Sequence, residues 1–210
     1  MARSRRWAAT LALLASAVLL AGCATASTRE VVSPKDRHRI GSELIASNWS
    51  TVADEFPGTT QPMVVISRTI PDVAWAGTIV SCLRDQGFDA IQLRDGLTYT
   101  APPDFSAARV AVSRFVCDTT RPTVTKVTRY LKRPQIDALY RYYVGSVRPC
   151  LLVAGAPSSP PPDWFTFVTS VVSKPIWHPF DLAWRTLPDP VVRYLEQRCP
   201  PVPPWLDLGR

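Results

Sequence analysis

The sequence predicts an α+β fold: a small sheet with packed helices in the first half, a mostly helical second half, and two disulfides. Three observations lead there. Runs with apolar residues at helical spacing dominate the chain, the alternating runs are short and lie before residue 131, and four cysteines are spread through the body of the chain at Cys82, Cys117, Cys150 and Cys199. Helices covering one face of a small sheet are a stable way for such a mixture to bury its apolar residues.

Taken in order, residues 24–34 are small and polar, suited to a tether. Pro34 opens a short helix with Ile40, Leu44 and Ile45 on one side, ending before Phe56-Pro57-Gly58. Residues 63–70 are rich in Val and Ile and predict a strand. Pro71-Asp72 starts a second helix in which Val73, Ala76, Ile79, Val80 and Leu83 keep helical spacing, and Gly87 stops it. Residues 88–93 and 97–100 flank Arg94-Asp95-Gly96, a turn signal that predicts a hairpin. A helix over 104–117 follows, with Phe105, Ala108, Val112 and Phe115 on one face.

In the second half, residues 124–130 alternate and predict another strand. From Pro134 towards Gly155 a long helix presents Ile136, Leu139, Tyr140, Tyr143, Val147, Cys150 and Leu151. Pro149 lies inside it, where its ring removes the bond to Gly145 and is expected to bend the helix. After a Pro- and Ser-rich bend at 157–162, helices are expected over 163–172 and 189–199, before a Pro-rich tail.

The first 22 residues carry a basic start (Arg3, Arg5, Arg6), an apolar run over 7–20 and small residues, the three parts of an export signal. The run is too short to span a bilayer, which needs about 20 apolar residues in helix. Leu20-Ala21-Gly22-Cys23 resembles the bacterial lipobox, in which the cysteine sulfur receives a diacylglyceryl group and a peptidase cuts in front of it. Cys23 is therefore expected to be lipidated, and two acyl chains convert marginal membrane binding into stable anchoring. The chain then divides into a signal peptide (1–22), a lipid-anchored tether with a short helix (23–60), a first α+β repeat (61–123) and a second, mainly helical repeat (124–210).

Removing Arg3, Arg5 and Arg6 lowers the net charge from +7 to +4. The remaining basic residues are interspersed with acids, so no polybasic footprint for nucleic acid is present.

With Cys23 assigned to lipid, an even number of cysteines in an exported chain predicts two disulfides. No pair has the C-x-x-C spacing of a zinc or redox site and no histidine is near one in sequence, so no metal is expected. Three pairings are open. An internal repeat favours one of them. Cys82-Leu83 followed by Gly87 corresponds to Cys150-Leu151 followed by Gly155, Pro102-Pro103-Asp104-Phe105 to Pro161-Pro162-Asp163-Trp164, and Cys117 to Cys199. If each half is a unit, Cys82 pairs with Cys117 and Cys150 with Cys199.

The lipobox, the Trp75 to Phe88 stretch with its Cys82-Leu83, the Leu139-Tyr140-Arg141-Tyr142-Tyr143 helix with Pro149-Cys150-Leu151, and the Glu196-Gln197-Arg198-Cys199-Pro200 ending together resemble uncharacterised lipoproteins of high-GC Gram-positive (actinobacterial) bacteria. The resemblance covers most of the chain after Cys23. It implies an extracytoplasmic location and disulfides, and it carries no catalytic residue. One departure is visible: Ala156 stands after Gly155 where the first half has Phe88 after Gly87.

Chemistry that needs a histidine base has little to draw on. His38 lies in a charged run and is expected to be solvated, and His178 sits between prolines and aromatics as a partly buried loop residue. Asp54, Glu55 and Asp72 read as caps and surface charges. No P-loop, dinucleotide fingerprint or calcium loop occurs. The expectation is a non-enzymatic, membrane-anchored binding or structural module without cofactor, its partner an envelope protein, a peptide or a wall glycan; the alternative is a carboxylate-dependent cell-wall hydrolase. Tyr140, Tyr142, Trp164 and Trp177 are the candidate binding surface, because rigid aromatic rings bury large area at little entropic cost.

Overall fold

The structure is a computed structural model and describes residues 31–93, 96–173 and 176–210. The expected signal peptide, Cys23, most of the tether, and Arg94 and Asp95 of the hairpin turn lie outside the described residues. Helix α1 (Pro34–Glu55) starts where the Ser33 side chain accepts the Asp36 N–H, with proline in the first turn, and it is longer than the short helix expected. A 3-10 turn (Asp72–Ala74) leads into α2 (Trp75–Asp85), which buries Ile79, Val80 and Leu83. Strands β1 (Asp89–Leu93) and β2 (Gly96–Thr100) pair antiparallel, Ala90 opposite Tyr99. Next comes α3 (Ala107–Thr120), capped by the Ser106 side chain.

The second half is helical: α4 (Val124–Thr128), α5 (Arg133–Tyr142), a π turn (Tyr143–Val147), α6 (Arg148–Val153), α7 (Trp164–Ser173), α8 (Asp181–Thr186) and α9 (Asp189–Arg198), with a 3-10 turn at Pro204–Leu206. The α+β class holds, and the disulfides are Cys82–Cys117 and Cys150–Cys199, with Cα separations of 5.6 and 5.8 Å. Each bridge joins two helical segments within its own half.

The two halves share a helix ending. Gly87 and Gly155 take positive φ, 91° and 72°. Beyond each glycine the next N–H reaches back five residues, Phe88 to the Leu83 carbonyl at 3.0 Å and Ala156 to the Leu151 carbonyl at 2.9 Å. This is the long bond of a Schellman cap, and the apolar contact that accompanies such caps is supplied by Leu83 under Phe88 and Leu151 under Ala156, all four buried.

Two expectations change. Residues 63–70 are extended but form no strand. Their only ladder contact among the described residues is a bridge between Ile70 and Thr123, because Ser67 and Ile70 donate to the carbonyls of Thr120 and Pro122 while Thr69 donates to the Asp207 carboxylate. Residues 124–130 are helical at 124–128, since the Thr123 side chain accepts the Lys126 N–H and Val124, Val127 and Thr128 turn inward together. Around Pro149, where a bend is expected, helical backbone continues from α5 through α6. It widens into the π turn, in which the Arg148 N–H bonds to the Tyr143 carbonyl.

Residues Val31–Arg210 pack as one unit around two clusters. The larger joins α1 to the second half, with Ile40, Leu44, Leu139, Tyr143, Phe167 and Phe180 at its centre. The smaller lies within the first half and consists of Ile79, Val80, Leu83, Phe88, Ala90 and Cys117.

Candidate functional site

The aromatic residues singled out from the sequence are half-buried, and most spend their polar tips on loops. Tyr140 donates through Oη to the Pro162 carbonyl at 2.7 Å, Tyr142 to the Pro200 carbonyl at 2.8 Å, and Trp177 through Nε1 to Ser159 Oγ at 2.9 Å. Tyr140 and Trp164 are brought together, ring centroids 5.5 Å apart, with Phe167 beneath both. Tyr142 and Trp177 instead flank the buried Tyr143. These rings hold proline-rich connections onto the helices, which is work that little else in such loops can do.

His178 is buried and uses both ring nitrogens. Nδ1 accepts the Phe180 N–H at 3.1 Å, and Nε2 lies 2.9 Å from the Pro201 carbonyl, to which it donates as the neutral tautomer. Burial lowers its pKa from 6.5 to about 4, although the bond to Pro201 pulls the other way. It is a structural pin, stacked on Trp184 at 4.6 Å. His38 is exposed. Among the described residues no three His, Cys, Asp or Glu side chains stand close enough to share a metal ion.

The site with chemical character lies in a cleft of about 600 Å³ lined by α1, α3 and Tyr99 of β2. Its wall is held by Trp49 against Phe115, centroids 5.1 Å apart, and by Asn48 donating to Thr119 Oγ1 at 3.0 Å. Val52, Phe56, Val110 and Phe115 make the lining apolar, and Arg114, Asp118 and Lys126 make one part of it charged. Asp118 accepts from three donors, two of which also meet each other. Oδ1 accepts Trp75 Nε1–H at 2.9 Å and Lys126 Nζ–H at 3.3 Å, Oδ2 accepts Arg114 Nε–H at 2.6 Å, and the Arg114 guanidinium lies 5.2 Å from the Trp75 ring.

Burial alone would raise the Asp118 carboxyl, yet the Lys126 and Arg114 cations outweigh it and hold the group below the usual carboxylate range. Asp118 is thus a fixed anion, and proton donation at neutral pH is outside its reach. Glu55 also lines the cleft. Arg114 and Asp118 stand one helical turn apart, a spacing that in sequence does not distinguish this site from any surface pair on a helix. Concave, mostly apolar openings with a few placed polar groups are the usual form of a ligand site.

No helix among the described residues is long and apolar enough to cross a membrane. No protein-family profile, curated protein or solved structure matches this chain.

Proposed function

We propose that the chain is exported, is held on the extracytoplasmic face of the cell membrane by lipid on Cys23, and serves there as a non-enzymatic binding module of the cell envelope. The observation that carries this reading is that all four cysteines after Cys23 are joined in two bridges, which suits an oxidising compartment, in a chain whose start has the parts of a lipoprotein signal. The binding place is the cleft between α1 and α3. A peptide or wall glycan there would meet apolar side chains first and the cations of Arg114 and Lys126 at the charged part. Hydrolysis by paired carboxylates is the weaker reading, because Asp118 is already committed to three donors and a hydrolase needs one carboxyl kept protonated.

Two measurements test this. Mass spectrometry of native material is expected to find Cys23 as an acylated N-terminus and no free thiols; a retained Met1 or unpaired cysteines would end the export reading. For the cleft, Ala111→Trp fills the opening without removing a charge. Retention on soluble wall glycopeptides is expected to fall at least tenfold while the melting temperature stays within a few degrees. Unchanged retention would remove the cleft from consideration.

A further inference from the structure

A second surface stands outside that reading. Met63 and Val65 are the most outwardly projecting apolar side chains of the first half, 95% and 74% exposed. They are two residues apart on an extended segment and so share one face. The segment is fixed: Ile66 is buried, Ser67 N–H donates to the Thr120 carbonyl at 2.8 Å, and Thr69 is clamped by Asp207 and by the Leu206 carbonyl. Gly209 lies so close that a Cβ there would overlap the Ser67 carbonyl. Two apolar side chains are therefore held out into solvent by a backbone that cannot fold them away.

Val65 borders a shallow depression on the first turns of α1, whose lining includes Arg37, His38, Val64 and Arg210 and contains no acid. Arg37 also donates to the Val32 carbonyl and Arg210 pairs with Asp207, so the cations are oriented at the rim. The same depression includes Pro34, at the very start of the described fold. Eight Cα-to-Cα steps separate Cys23 from Val31, a reach of at most about 29 Å.

We propose that this face rests on an anionic phospholipid surface. Met63 and Val65 enter the boundary between headgroups and acyl chains, and Arg37 and Arg210 meet the phosphates. Three features favour lipid: an apolar pair that projects into solvent, a lining that holds two arginines, one of them paired with Asp207, and a position at the end of the described fold nearest the expected anchor. An acyl chain supplemented by a basic, apolar patch gives firmer and better-oriented attachment than the chain alone. The proposal rests on the lipid anchor only to keep the chain near the bilayer.

The test uses the full processed chain in vesicles of phosphatidylcholine and phosphatidylglycerol containing nitroxide-labelled lipid. An environment-sensitive fluorophore is placed through Met63→Cys or, as a control in the second half, Val153→Cys, a position 83% exposed. Quenching at least twofold at position 63 and none at 153 is expected. A third chain labelled through Ser42→Cys, in the depression, is expected to lose its quenching when Met63→Asp and Val65→Asp are added. Equal quenching at 63 and 153, or none at 63, overturns the proposal, as does shielding of position 63 that follows protein concentration without lipid, which would mean a second copy covers it. The anchor is read separately, since the parent chain without an added cysteine takes up no label if Cys23 is acylated and the others are bridged. Should the parent take up label, the anchor reading fails, and excess vesicles still decide the face: no quenching at 63 overturns it.

Discussion

The two halves end a helix in the same way, with cysteine, leucine and a positive-φ glycine at matching places, and each ties that helix to a later segment through a disulfide. They differ in what lies underneath. In the first half the bridge closes on six buried residues, packed beneath a two-stranded hairpin, and a hairpin of that size is marginal in water. In the second half, joined by α1 and Ile66, Cys199 of the bridge belongs to a cluster of twenty buried residues among those described, with Cys150 packed against it. The same staple thus substitutes for core in one place and trims an existing core in the other.

Removing the bridges tests this difference most strongly. Chain entropy alone assigns about 4 kcal/mol to either, for sequence separations of 35 and 49 residues. Replacing Cys82 and Cys117 by serine is expected to raise hydrogen exchange across 75–120 to near the unfolded rate while 139–151 stays protected. Replacing Cys150 and Cys199 should lower the melting temperature by a comparable amount without melting the second half locally. Identical exchange patterns for the two double variants would break the comparison.

Mild acid is expected to act on the second half first, before the Asp118 carboxylate of the first half begins to bind a proton. The pKa of His178 is lower folded than unfolded, so above pH 6.5 both states are neutral and stability is full. Between pH 6.5 and 4 the unfolded chain binds a proton that the folded chain refuses, and about 3 kcal/mol is lost. Urea titrations at pH 7 and pH 4 measure it, and His178→Gln should flatten the dependence in that window. Smaller effects sharpen the comparison of the caps. Gly87→Ala and Gly155→Ala meet no close neighbour that would bar a Cβ, so each should cost only the backbone term of an L residue at positive φ, about 1–2 kcal/mol; unequal costs would show that the caps are not equivalent. Tyr143→Phe is expected to be neutral or to stabilise by up to about 1 kcal/mol in chemical denaturation, because its hydroxyl is buried with no hydrogen-bond partner among the described residues.

The parts of the fold legible beforehand are those where a local signal has one meaning. Pro34 is a helix start, Gly87 a helix stop, and the repeated cysteine, leucine and glycine order implied pairing within each half. Short apolar runs were not legible. Over 124–128 the inward set Val124, Val127 and Thr128 fits a helix, while the same five residues also alternate, and the Thr123 cap decides between them. Residues 63–70 have strand composition, but their partners are loop carbonyls and a distant aspartate that composition does not reveal. Helix α8 was hidden among prolines. The cleft was hardest to foresee, since it depends on α1 meeting α3 and on Lys126 arriving from another helix to share Asp118 with Arg114.

The π turn ahead of Pro149 sets the phase of everything after it. Leu139, Tyr143, Val147 and Leu151 follow one another at four-residue steps, and all four are buried. In an unbroken α-helix three such steps would carry Leu151 about 120° around the axis from Leu139. The wider turn absorbs one extra residue, about 100° of rotation, and returns the row to a single line. Were the same residues wound as an unbroken α-helix, Cys150 would turn about 100° away from Cys199. The apparent irregularity is what aligns the second disulfide.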